Sequence, residues 1–362
     1  ANIVEGNALR MDWNSVVPKE KLSYIMGNPP FVANTGRVSS KESHSKKMMS
    51  NNQSDERFEL FGKSGGILDY VACWYVKAAD FMKDTNILCA FVSTDSITQG
   101  QQVEPLWSKM FEKGITINFA YRSFKWSNET NNKGATVFVI IVSFSYNNSS
   151  KKYIYDNGSK MEVSNINAYL LNAPNVIVGS RPKPICNVPS MRSGGKPVEG
   201  GFLIFDDKEK EKFIKEEPHS EKFFRRFTSG ETFLNNKMKW CLWLLDATPH
   251  DIQSMPEVKK RIANVRKFRE NSSKEATRKA ASKSHLFAEI KQPNSDYLLI
   301  PLTTSSNRRY VPIAYVSKDV IANNGASFVP DASLYHFGVL TSNVHMAWMR
   351  TICGYFGMSY RY

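Results

Sequence analysis

The sequence predicts an α/β domain followed by a separate α+β domain. Three observations carry this. Nearly continuous apolar runs such as NILCAFVST (Asn86–Thr94) alternate with amphipathic helical stretches. That alternation stops near residue 165, and a Pro- and Gly-rich passage follows before helical and strand segments resume in mixed order. The charge is also divided unevenly: of a net +14, residues 1–165 carry a surplus of 3 and the remainder a surplus of 11. A domain of residues 1–165 and a second of residues 175–362 are therefore expected, the length of 362 residues being enough for two cores.

Taken in order, IVEGNAL (Ile3–Leu9) reads as a short strand ending in a turn. KLSYIMG (Lys21–Gly27) reads as a second strand, stopped by two prolines. The polar stretch from Asn34 to about Ser54 has little periodicity and is expected to be a mobile loop. In LDYVACWYVKAADFM (Leu68–Met82), the residues Leu68, Val71, Ala72, Tyr75, Ala78, Ala79 and Met82 recur at three- and four-residue spacing and predict a helix with one buried face. PLWSKMFEKG (Pro105–Gly114) predicts another, with Pro at its start and Gly at its end. ITINFAYR and ATVFVIIVSFS are two further strands that would form an antiparallel pair at one edge of a sheet wound with helices on both faces. NNSSKKYIYDNGSK (Asn147–Lys160) is polar and turn-rich and reads as the exit from the first domain.

Composition sets limits. No apolar run approaches the roughly 18 residues that span a bilayer, so no membrane association is expected. Five dispersed cysteines without a CxxC pair fit reduced thiols in a cytoplasm, and six histidines show no ligand spacing, so no metal site is expected.

The string that carries chemistry is YIMGNPPF (Tyr24–Phe31), placed where a strand's carboxyl end opens onto a ligand crevice. Asn28 offers a carbonyl oxygen on a short side chain. Pro29 lacks an N–H and has a fixed φ, but its carbonyl is free, and Pro30 stiffens the exit. Two adjacent acceptors can take both hydrogens of one exocyclic amine and aim its lone pair outward. Phe31 gives a flat face for a base swung out of its helix. Catalysis would then rest on positioning and on acceptors that favour the developing charge. The plain alternative is a turn that stops a strand.

NPPF after a strand resembles the catalytic motif of S-adenosylmethionine-dependent amino-methyltransferases acting on DNA. Together with LDYVACWYVKAADFM, CAFVSTDSITQG and INFAYRSFKWSN, it resembles the MmeI-like family of fused restriction–modification enzymes, type IIG/IIL, which methylate adenine N6 within a specific site. SRPKPICNVPSMRSGGKPVEGG, KWCLWL, LLIPLTTSSNRRYVPI and HMAWMRTICGYFGMSYRY are similar to that family's target-recognition region. The resemblance covers nearly the whole chain. It implies a partial Rossmann-like S-adenosylmethionine methyltransferase sheet followed by an α+β DNA target-recognition domain. Asn28, Pro29, Pro30 and Phe31 would be the catalytic set. Asn7, Ala8 and Asn28 would meet the cofactor, although related enzymes usually carry an acidic residue where Asn7 stands. Phe31, with Phe124 or Trp126, would stack on the flipped base; core packing is the alternative for the latter two.

The family's glycine-rich cofactor turn is not found before residue 7, and Gly194–Gly195 and Gly200–Gly201 lie in the second domain. The expectation is therefore a fragment, missing its N-terminal nuclease, spacer and cofactor-binding segments, truncated at its end and inactive alone.

Met255–Lys291 holds eleven Lys or Arg against four Glu. In VKKRIANVRKFRE, Val258, Ile262, Val265 and Phe268 make a buried face, leaving cations such as Arg266, Lys267 and Arg269 for DNA phosphates, unless they merely form a solvated face. Base reading needs forked or paired groups, for which Asn307, Arg308 and Arg309 are candidates. The resemblance adds Gly357, Met358 and Ser359. Double-stranded DNA is thus the expected partner. A DNA-binding module without catalysis, or an amino-methyltransferase acting on cytosine N4 or another substrate, stays open on the residues alone.

Overall fold

The computed structural model describes residues 3–32, 44–126, 137–148, 151–237 and 239–362. They form two compact units, Ala1–Pro182 with Thr351–Gly357, and Lys183–Arg350 with Met358–Tyr362. None of the described helices is long and apolar enough to cross a membrane.

The first unit contains β1 (Tyr24–Gly27), α1 (His44–Phe61), α2 (Ala72–Met82), β2 (Leu88–Thr94), α3 (Val103–Glu112), β3 (Thr116–Trp126), β4 (Val137–Ser145), β5 (Lys152–Asp156) and β6 (Ser159–Val163). They build one mixed sheet in the order β1-β2-β4-β3-β5-β6. β1 and β2 are parallel, β4 runs against both β2 and β3, and β5 is parallel to β3. The carboxyl ends of β1, β2, β3 and β5 therefore share one edge.

The helix over Ala72–Met82 follows from its spacing: Ala72, Tyr75, Ala78, Ala79 and Met82 are buried, with Leu68 and Val71 just ahead of it. Tyr75 is the hub of this core. It stacks on Phe144 at 5.0 Å and meets Phe91 and Trp107 edge-on. Its buried hydroxyl is hydrogen-bonded to Ser93 Oγ at 2.6 Å, which offsets the cost of burying the polar atom.

Four sequence expectations are corrected here. Ile3–Leu9 is not a strand; β1 is an edge strand, and Ile3 and Val4 lie exposed without a pairing partner. Residues 44–54, expected as loop, belong to α1. Tertiary anchoring by buried Gln53, Glu56 and Arg57 overrides the weak local pattern; residues 34–43 of that stretch lie outside the described residues. β3 and β4 are antiparallel as expected but sit inside the sheet, not at its edge. Asn147–Lys160 is no exit: it contains β5 and the start of β6, a hairpin closed by Asn157 and Gly158 at φ 47° and 80°. Both central residues at positive φ make the turn whose twist suits a two-residue hairpin, which is why Asn-Gly stands there.

The second unit holds β7 (Arg192–Ser193), β8 (Ile204–Phe205), α4 (Asp207–Glu216), β9 (Phe224–Thr228), α5 (Gly230–Leu234), β10 (Lys239–Leu242), α6 (Pro249–Gln253), α7 (Pro256–Glu270) and α8 (Glu275–Lys279). It continues through β11 (Tyr297–Pro301), β12 (Thr303–Ser305), β13 (Ala314–Val316), β14 (Val320–Ala322), β15 (Ala326–Pro330), α9 (Leu334–Leu340) and most of α10 (Asn343–Ile352). After β16 (Gly354–Phe356), which belongs to the first unit, β17 (Ser359–Arg361) completes it. Two four-stranded sheets, β14-β9-β10-β8 and β13-β11-β15-β7, form its frame. An aromatic cluster of Phe205, Phe213, Phe223, Phe224 and Phe227 fills one core, joined by Val258 and Val265 of α7. The predicted face of α7 is corrected at its end: Phe268 is 44% exposed, and Arg269 is fully buried in its place.

Candidate active site

β1 delivers Asn28 to the shared carboxyl edge. Gly27, opposite Phe91, brings the backbone close to that ring; a Cβ there would lie 3.4 Å from it. Pro29 is buried and anchors the turn, while Asn28 and Pro30 are exposed and Phe31 is half-buried. Neither the Asn28 side chain nor the Pro29 carbonyl is hydrogen-bonded among the described residues. Two unengaged acceptors thus stand side by side at the edge where open sheets bind ligands.

The other predicted aromatics reach the same edge. β3 ends in Phe124 and Trp126, with ring centroids 6.4 Å apart, Phe124 half-buried and Trp126 40% exposed. Between them and β1 lies the loop after β2. Ser123 Oγ donates to Asp95 Oδ2 at 2.7 Å, tying the end of β3 to that loop. Asp69, buried beneath, accepts from Thr94 Oγ1 at 2.6 Å and from Gln102 Nε2 at 3.2 Å.

Burial lifts the Asp95 carboxyl to about 6, against the hydrogen bonds from Ser123 and Gln99. With the folded pKa above the ordinary value, the stability tied to protonation is intact below the unfolded pKa and lost as pH rises through about 6. Asp95→Asn should therefore gain more over the wild type near pH 7.5 than near pH 4.5 in denaturant melts, pH values chosen to straddle that shift. An equal gap at the two pH values would contradict this.

Asn7 and Ala8 are held internally. Asn7 Nδ2 donates to Glu56 Oε1 at 2.6 Å, its Oδ1 accepts from Leu9 N at 3.0 Å, and the Ala8 carbonyl accepts from Trp13 Nε1 at 2.7 Å. Glu56, which the sequence reading missed, is the hub: buried in α1, it also binds Arg10 Nε at 2.7 Å and the Tyr70 hydroxyl. Burial, with Glu56 alongside, raises the Tyr70 phenol above its ordinary range. No periodicity marks Glu56, because it serves one long-range network and not a helix face. These bonds fix the orientation of the Asn7 amide, which is exposed and keeps its second N–H available.

In the second unit, Arg269 is corrected as a phosphate ligand. It is fully buried and donates to five backbone carbonyls: Val198 from Nε at 2.9 Å, Ala280 and Lys283 from Nη1 at 2.9 and 3.1 Å, and Pro197 and Leu286 from Nη2 at 3.1 and 2.7 Å. Arg261 is likewise internal, 4.1 Å above the Phe205 ring and bonded to Phe202 O. Arg266 is exposed and paired with Glu270 at 2.9 Å, a surface pair of small energy, and Lys267 is exposed.

The two sets of candidate base-reading residues do come together. β12 pairs with β17, Ser305 opposite Ser359, and Ser306 N donates to Met358 O at 2.8 Å. The turn carrying Asn307 and Arg308 starts from that ladder, and Gly357, at φ 61°, immediately precedes Met358 in the chain. α10 braces the next residues: Arg350 Nη2 donates to Arg309 O at 2.7 Å, and Tyr310 Oη to Asn343 Oδ1 at 2.9 Å.

A family model described as the DNA-methyltransferase domain of MmeI matches residues 1–156, and one described as the target recognition domain of MmeI matches residues 172–362. DNA methyltransferase A of Bacillus subtilis (strain 168) is 35% identical over 360 residues, 98% of this chain and 40% of that protein. The type IIL restriction-modification enzyme MmeI, solved in complex with DNA, is similar in structure with a TM-score of 0.88 and 43% identity, across 100% of this chain and 48% of that one. The chain thus spans less than half the length of these relatives.

Proposed function

The chain belongs to the MmeI family, with the methyltransferase and target-recognition domains in that order, and we propose that it is the modification part of a restriction–modification enzyme, transferring a methyl group to adenine N6 at a specific site in double-stranded DNA. Residues 1–165 are assigned the chemistry and residues 175–362 the recognition of the target. The observation that carries the reading is the pair of unengaged acceptors, Asn28 Oδ1 and Pro29 O, at the shared carboxyl edge of a parallel strand pair.

S-adenosylmethionine, when bound, supplies the electrophilic methyl group. Everything else is done by side chains and backbone of the protein. Asn28 and the Pro29 carbonyl accept the two hydrogens of the adenine amine, which orients its lone pair and favours the positive charge that develops on nitrogen. Phe31, with Phe124 or Trp126, holds the flipped base by stacking. The EGNAL turn, fixed by Glu56, is assigned the cofactor side of the site. In the second unit Lys267 and Arg266 contact phosphates, whereas Asn307, Arg308, Arg309 and Ser359 read bases, joined by Gly357, which precedes Met358 in the chain. The reaction belongs in the cytoplasm, where duplex DNA and the methyl donor meet.

The deciding assay offers the intact protein a tritiated methyl donor with duplex DNA, RNA or protein as acceptor. Label entering duplex DNA alone is expected. Label in RNA or protein, with none in DNA, contradicts the proposal.

A further inference from the structure

Seven residues, Thr351–Gly357, cluster with the first unit although the chain on either side of them belongs to the second. They form a strap. Its seat is the loop after β2. Gln99 Nε2 donates to Tyr355 O at 3.0 Å, and Gln99 Oε1 accepts from Tyr355 N, so one side chain reproduces both hydrogen bonds of a strand pair. Beside it, Gly100 adopts φ 57°, and a Cβ there would lie 3.4 Å from Gly354 Cα and N. That is ordinary van der Waals contact, so it is the left-handed backbone, not crowding, that favours Gly at this position.

The same loop faces the reacting edge. Gln99 closes the short turn that begins at Asp95, its N donating to Ser96 O at 3.3 Å, and the Asp95 carboxylate accepts from Ser123, the residue before the base-stacking candidate Phe124. The strap's other end runs directly into Gly357, Met358 and Ser359, beside the base-reading turn. The strap seated on Gln99 is thus continuous in the chain with the reading segment.

We propose that Gln99 is a positioning residue that couples target reading to base placement, holding the Thr351–Gly357 strap on the Asp95 loop so that a correctly read site sets the stacking wall. The inference rests on the methyltransferase reading above. It predicts that Gln99 matters for discrimination, not merely for rate.

The test uses the intact protein, a duplex bearing its mapped site, and a duplex with one base pair of that site changed. In Gln99→Ala, the ratio of kcat/KM between the two duplexes should fall about tenfold, through kcat on the correct site, with KM within about twofold. Gln99→Glu keeps the acceptor for Tyr355 N but loses the donor to Tyr355 O, and should fall between. Ser123→Ala, at an exposed position, removes the donor to Asp95 without touching the strap, and should lower discrimination in the same direction even where Gln99→Ala folds poorly. A ratio unchanged in these variants, whether both rates fall together or neither moves, overturns the inference. An inactive wild-type protein would instead sink the methyltransferase reading itself.

Discussion

Asn28→Ala should lower kcat for methyl transfer by about 10³-fold while leaving the KM for DNA nearly unchanged. The side chain is exposed and unengaged among the described residues, so its removal leaves no cavity and no orphaned partner. The folded protein should therefore melt as the wild type does. What is lost is an acceptor needed most when charge builds on the amine nitrogen, an interaction stronger in the transition state than in the ground state. Asn28→Asp, which keeps an acceptor in place, should retain more activity than the alanine variant. Methylation of Asn28→Ala near the wild-type rate would mean that the amine is held elsewhere.

Arg269→Met should destabilise the second unit by about 3–5 kcal/mol, because buried carbonyls lose their charged donor and water must enter to replace it. For a unit of this size that is a drop of about 10 °C in melting temperature. Lys267→Ala makes the contrast. Two positions away on the same helix but exposed, it should leave the melt unchanged and reduce the slope of DNA affinity against salt by about one ion. Thermal melts and salt titrations on both variants separate the roles. A salt slope altered by Arg269→Met with no loss of stability would restore Arg269 as a phosphate contact.

The contrast within one helix also marks what a sequence of this kind can and cannot disclose. Apolar spacing placed α2 and the start of the buried face of α7, because buried faces repeat. It could not distinguish Arg269 from Arg266 and Lys267, because a cation that satisfies carbonyls from distant loops leaves no periodic trace. Glu56 and Gln99 were silent for the same reason: each acts through long-range hydrogen bonds. The NPPF turn stands out in the sequence because it is built from consecutive residues whose backbone chemistry is fixed by proline. The Asn157–Gly158 hairpin was locally encoded too, but its flanking polar residues masked the strand pattern. Ile3–Leu9 misled in the other direction, apolar enough for a strand but without a pairing neighbour.

The central claim is that Asn28 and the Pro29 carbonyl present one adenine amine to a methyl donor at a site chosen by the second unit. Single-molecule sequencing of DNA from cells expressing the intact protein, with Asn28→Ala alongside, tests it most directly. N6-methyladenine at one discrete sequence motif, absent with Asn28→Ala, is the expected result. Methylcytosine, methyladenine scattered without a motif, or a modification that persists with Asn28→Ala would contradict it.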